Sequence, residues 1–152
     1  MKKFEFRLEP VLKYRRYLER VAQQDTARAN MNLKNCENRI MNLKTEYESQ
    51  GAEMERAVLN GVSASGFRTF YQYLGAVESG LEEAESEKIE LARVLDEKIV
   101  HLKQKSVDKK VIDLYREKQR DRYVQEIIKA EQKELDEISS LKTARALSNE
   151  KL

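Results

Sequence analysis

The sequence has one cysteine, one proline, one histidine, five glycines and no tryptophan in 152 residues. A single cysteine, Cys36, excludes an intramolecular disulfide and a cysteine-built metal cluster. It suits a reducing compartment. A single proline, Pro10, leaves no later residue of that kind to break a helix. No stretch approaches the roughly 18 uncharged residues that a membrane span needs. The opening residues, Met1 to Arg7, carry charges on both sides of Phe4 and Phe6 and lack the apolar run of a signal peptide. The glycines are scattered and none precedes a Lys-Ser/Thr pair, so the sequence holds no phosphate loop. Catalysis by His101 would need a nucleophile or carboxylate held beside it in a recess, so it reads as a surface histidine.

Charge is plentiful. Charged residues make up 37% of the chain, against roughly 25% in ordinary domains. The apolar residues are few but regularly spaced, which separates patterned polarity from disorder. One stripe reads Leu33, Cys36, Ile40, Leu43, Tyr47, Gln50, Met54. A second reads Phe67, Phe70, Leu74, Val77, Leu81, Ala84, Lys88, Leu91, Leu95. Both step alternately by three and four, the seven-residue repeat of a coiled-coil seam. Between them lies Asn60-Gly61-Val62-Ser63-Ala64-Ser65-Gly66, where Asn-Gly stops one helix and Ser63 or Ser65 can cap the next. The pattern predicts an all-α fold, a two-helix antiparallel coiled-coil hairpin forming a single domain over residues 1–152. Helix one is expected over about 10–59, the turn over about 60–65 and helix two over about 66–146, with a frayed tail from Ser148.

Helix one opens with a stripe at Val11, Tyr14, Leu18, Ala22, Thr26, Ala29 and Leu33. Its steps of four from Tyr14 to Thr26 predict a stutter in the heptad. Ala22 and Ala29 would let the partner helix approach closely. Folding about residues 62–63 places position i opposite roughly 125 − i, so everything after about residue 116 should overhang without a partner from this chain. That overhang still carries Val124, Ile128, Leu135 and Ile138, with Ile127 and Leu141 nearby. One apolar face on an isolated helix gains little, so a partner is expected for it.

Net charge is only +2, but unevenly placed. Residues 1–20 carry seven positive and three negative side chains, and residues 102–123 carry eight and four. The fold-back sets these two basic stretches side by side at the base. The cluster of Lys13, Arg15, Arg16, Arg20, Lys103, Lys105, Lys109 and Lys110 has acids interleaved and no displayed aromatic platform, which favours an acidic protein partner over nucleic acid, with a purely solvated face as the other alternative. Acid pairs such as Glu82-Glu83 read as a solvated coiled-coil face rather than a metal site. Lys88, on the seam, either fixes register or snorkels outward with its stem buried. Tyr47, Phe67, Phe70, Tyr71 and Tyr73 cluster near the bend. Phe67 and Phe70 would close it, while at least one of Tyr71 and Tyr73 should be exposed, either as a contact surface or packed against the turn.

The opening Phe4-Glu5-Phe6-Arg7-Leu8-Glu9-Pro10-Val11-Leu12-Lys13-Tyr14-Arg15-Arg16 resembles the start of the FliJ family of flagellar export proteins. The late Glu131-Gln132-Lys133-Glu134-Leu135-Asp136-Glu137 resembles that family's Glu/Asp-Gln-Lys-x-x-Asp-Glu segment. Thr45-Glu46-Tyr47, Asn60-Gly61-Val62 and Phe70-Tyr71-Gln72-Tyr73-Leu74 are similar in the middle, in the same order. The resemblance implies a non-enzymatic, cofactor-free stalk of the flagellar type III export apparatus. It further implies binding to the hexameric export ATPase and to the cytoplasmic domain of the export-gate membrane protein, and handling of export chaperones. The expected location is the cytoplasm, with peripheral membrane association through partners only and no nucleic acid bound. The equivalent stalk of a virulence-type secretion system is the alternative within this class; a generic nucleic-acid-binding or tethering coiled coil is the alternative outside it. Carried over by position, the gate-binding surface falls on Cys36, Ile40, Leu43 and Tyr47, with Tyr73, Val77, Gly80 and Ala84 opposite. Only Tyr47 matches the family outright. Binding to the ATPase ring would involve Arg15, Arg16, Gln132, Lys133, Asp136 and Glu137, to which the paired basic stretches add Lys109 and Lys110.

Overall fold

Leu8 accepts the first helical hydrogen bond, from the Leu12 amide at 2.9 Å, so the first helix begins at Glu9. Pro10 is therefore its second residue. It costs nothing there, because amides of the first turn have no intrahelical partner. This helix, α1, spans Glu9–Leu59, and α2 spans Ala64–Asn149. The structure is a computed structural model and describes residues 3–150. Residues 1 and 2, and residues 151 and 152 where the expected frayed tail ends, lie outside the described residues. The all-α expectation is met: two helices pack on each other, the second is longer, and no strand occurs among the described residues.

The chain forms two units, residues 18–105 and residues 1–17 with 106–152. In the first, α1 reverses into α2 through a turn whose chemistry is local. Gly61 has φ +85°, and its amide donates to the Val58 carbonyl at 3.3 Å, closing the end of α1. Ser63 caps α2: its Oγ accepts the Gly66 amide at 3.1 Å, while its carbonyl accepts the Phe67 amide at 3.0 Å. Between the two candidate caps, geometry selects Ser63, whose carbonyl takes the first bond of α2. The Ser65 hydroxyl, inside the helix, lies 3.3 Å from the Ser63 hydroxyl.

The core of this unit is thin. Ala22, Ala29, Cys36 and Ile40 of α1 and Leu74, Val77 and Ala84 of α2 are its buried residues, with Leu43, Leu81 and Leu91 packed beside them. The small residues bring the backbones together, as expected for Ala22 and Ala29. The Thr26 hydroxyl lies 2.8 Å from its own helix's Ala22 carbonyl and 3.2 Å from the Lys98 carbonyl across the seam. The Cys36 thiol donates to the Ala84 carbonyl at 3.3 Å. Arg39–Glu87 at 2.6 Å, Lys44–Glu85 at 3.9 Å and Lys88–Glu37 at 3.7 Å flank the seam and report its antiparallel register. Lys88 keeps its ammonium exposed against Glu37, so it snorkels.

In the other unit, the first turns of α1 lie against the later part of α2, and one expectation changes. Leu12 is completely buried, whereas Val11 is 38% and Tyr14 58% exposed. The inward positions of α1 run Leu12, Arg15, Glu19, Ala22, Thr26, Ala29, Leu33, each buried or half-buried. That series keeps the three–four alternation without a stutter. Hydropathy misplaced the stripe because Arg15 occupies the seam. Its stem lies along the interface while its guanidinium reaches Asp108 at 3.3 Å.

The overhang also begins later than the length arithmetic implied. Residues 3–8 run back along α2 and cover it past residue 116. The rings of Phe6 and Tyr115 lie 6.0 Å apart and those of Phe4 and Tyr123 5.5 Å, both tilted. Beyond Ile127, which is half-buried, every described residue of α2 is exposed.

Candidate interaction surfaces

The sites predicted on this chain are surfaces for partners, and each lies within one unit. In residues 18–105 the expected gate-binding residues divide by burial. Cys36, Ile40, Val77 and Ala84 lie inside the interhelical core. Leu43 and Gly80 face each other half-buried at its edge, where a Cβ on Gly80 would sit 3.9 Å from Leu43 Cδ1. Tyr47 and Tyr73 are about 40% exposed. The Tyr73 phenol bonds the Glu46 carboxylate, which raises its pKa above the ordinary phenol value, chiefly through that hydrogen bond. Next to Tyr73 a groove of about 460 Å³ is lined by Gln50, Gly66, Thr69 and Phe70. Tyr71 is 69% exposed and Phe67 43%. Both tyrosines after the bend are thus open, and Phe67 closes the turn less tightly than Phe70.

Further along α2, Arg93 is held between Glu90 and Glu97 on its own helix. Its hydrogen bonds and charge keep the Glu90 carboxyl below the usual carboxylate range. These pairs stiffen an acidic, solvated face rather than build a site. His101 is exposed, and among the described residues no cluster of His, Cys, Asp or Glu could hold a metal ion. Among the described residues no helix is long and apolar enough to cross a membrane.

In the other unit, three arginines are tied to acids of the opposite helix. Arg15 meets Asp108 at 3.3 Å, Arg16 meets Asp113 at 3.5 Å, and Arg116 meets Glu9 at 3.4 Å. Arg15 and Arg16 therefore align the helices as well as contributing positive charge. Lys109 is half-buried and Lys110 exposed on the same stretch. Gln132, Lys133, Asp136 and Glu137 are all exposed. They lie 22 or more residues beyond Lys110 on one helix, or roughly 33 Å at 1.5 Å per residue. The expected ring-binding set is therefore two patches, one where α2 is paired and one where it is bare.

The sequence reading missed the aromatic strap that links these patches. Phe4 and Phe6 alternate as in an extended segment, and Tyr115 and Tyr123 are eight residues apart on one helical face. That complementarity was legible once the segment was set opposite α2. Phe4, Phe6 and Tyr115, with Leu8 and Gln119, border a groove of about 500 Å³.

The chain matches the family model for the flagellar FliJ protein over residues 4–148. It is also similar to the solved structure of a putative YscO homolog from Chlamydia trachomatis. The two are 18% identical, with 91% of this chain and 94% of that chain covered and a TM-score of 0.48. No curated protein matches it significantly.

Proposed function

This chain belongs to the FliJ family, components of type III protein export, and we propose that it acts as the non-enzymatic stalk that couples the flagellar export ATPase to the export gate. The observation that carries this reading is the family match, which spans both helices and the turn. In this reading the unit built from both ends of the chain engages the hexameric ATPase. Lys109 and Lys110 supply positive charge, and the bare stretch with Gln132, Lys133, Asp136 and Glu137 supplies the contact beyond. Arg15 and Arg16 hold the helices in register there.

The cytoplasmic domain of the gate protein docks, in the same proposal, on the open edge formed by Tyr47 and Tyr73 above Leu43 and Gly80. Cys36, Ile40, Val77 and Ala84 shape that edge from beneath. Export chaperones bind as further partners, and the protein works in the cytoplasm, at the membrane only through what it binds.

A purified export ATPase assayed with and without the chain tests the reading. Hexamer formation and turnover should both rise. Unchanged assembly and turnover would remove the stalk assignment. Lys110→Glu with Lys133→Glu should weaken co-sedimentation with the ATPase. Both side chains are exposed, so their reversal leaves the Arg15–Asp108 and Arg16–Asp113 pairs intact.

A further inference from the structure

The bare end of α2 presents a face that complements itself. Leu135, Ile138 and Leu141 are 65%, 50% and 60% exposed. At about 100° per residue, Glu131, Glu134, Leu135, Leu141, Lys142 and Arg145 all project within about 60° of the direction of Ile138. Counting outward from Ile138, Leu135 and Leu141 stand three residues away on either side. Glu134 and Lys142 stand four away, and Glu131 and Arg145 seven away. The acids all precede Ile138 and the bases all follow it. Among the described residues none of these four charges has an ion-pair partner.

We propose that this face docks on the same face of a second copy of this chain, antiparallel, in a twofold pair centred on Ile138. Antiparallel alignment about that residue opposes Leu135 to Leu141, Glu134 to Lys142 and Glu131 to Arg145, each twice by symmetry. Apolar contacts form the middle and charge pairs lock the register. Parallel alignment would set Glu131, Glu134, Lys142 and Arg145 each against its own copy, with like charges opposed throughout. The other positions from 127 to 149 oppose no like charges in the antiparallel register: Lys133 meets Thr143, Asp136 meets Ser140 and Glu137 meets Ser139. Gln132, Lys133, Asp136 and Glu137 point away from the Ile138 direction. The pairing therefore leaves the residues assigned to the ATPase on the outside, and it stands or falls separately from that assignment.

The test is sedimentation equilibrium of the full chain across a concentration series. The wild type should shift with concentration from 17.8 kDa toward twice that mass, and salt should weaken the association. Lys142→Glu/Arg145→Glu makes the face wholly acidic, and Glu131→Lys/Glu134→Lys makes it wholly basic. Each variant alone should associate at least about tenfold more weakly, since four exposed pairs turn from attraction to repulsion. Mixing the two should restore a heterodimer. Circular dichroism of each variant checks that the helix is retained. A wild type that stays at monomer mass at every concentration overturns the proposal. So does association that neither charge variant weakens.

Discussion

Replacing Leu12 by alanine tests the register of α1 at its start. Leu12 is the only large side chain in the described chain that is fully buried, while its neighbour Val11 is 38% exposed. Leu→Ala removes three buried carbons and leaves a cavity, a change that costs about 2–5 kcal/mol in thick cores. A two-helix contact can close over part of the space, which places this site at about 2–3 kcal/mol. Local opening should then become roughly 30- to 150-fold more frequent, at tenfold per 1.4 kcal/mol. Native-state amide exchange at residues 12–17 reads that quantity directly and needs no two-state unfolding of the whole chain. Val11→Ala removes two carbons from a side chain that is already partly wet, so its cost should stay under about 1 kcal/mol. If Val11→Ala loosens these amides as much as Leu12→Ala, the seam runs through Val11 and Tyr14 after all, and the stutter returns.

Three further outcomes follow from named contacts. Gly61→Ala places a β-carbon on a residue with φ +85° and should cost about 1 kcal/mol in thermal unfolding of the turn-containing unit; an unchanged melting temperature would refute the cap geometry. Phe4→Ala with Phe6→Ala removes both ring pairs on α2, each worth about 0.5–1.5 kcal/mol beyond area burial, and should speed proteolysis between residues 3 and 8; equal cleavage rates would contradict the strap. The Glu90 carboxyl is held low by Arg93, so its pair contributes above the unfolded carboxylate pKa and is lost as pH falls through the lowered folded value. Arg93→Ala should move the Glu90 titration midpoint upward in NMR, and an unmoved midpoint would show that Arg93 does not set it.

The two stripes and the Asn60-Gly61 stop were legible because heptad spacing and turn chemistry depend only on residues close in sequence. Leu74, Val77, Ala84, Cys36 and Ile40 lie where periodicity puts them. The same logic failed at Arg15, because hydropathy scores the guanidinium while burial follows the stem. It also failed to find the strap, since Phe4 and Phe6 are too few to form a pattern alone and acquire meaning only opposite Tyr115 and Tyr123. The proposed partner surfaces came from the sequence only as positions along each helix. Burial then separated Tyr47 and Tyr73, which a partner can touch, from Cys36, Ile40, Val77 and Ala84, which the helices use for each other.

Sequence alone determined two long helices, the turn between them, and an apolar stripe late in α2. Each follows from local periodicity and from counting residues. Tertiary structure decided which of two adjacent residues, Val11 or Leu12, turns inward. It decided that Lys88 reaches water through Glu37, and that the first residues cover α2 as far as Tyr123. These choices rest on contacts between residues 50 to 120 positions apart, and a helical pattern fixes such contacts only to within a residue. One residue of helix is a rotation of about 100°, enough to exchange an interior position for an exposed one.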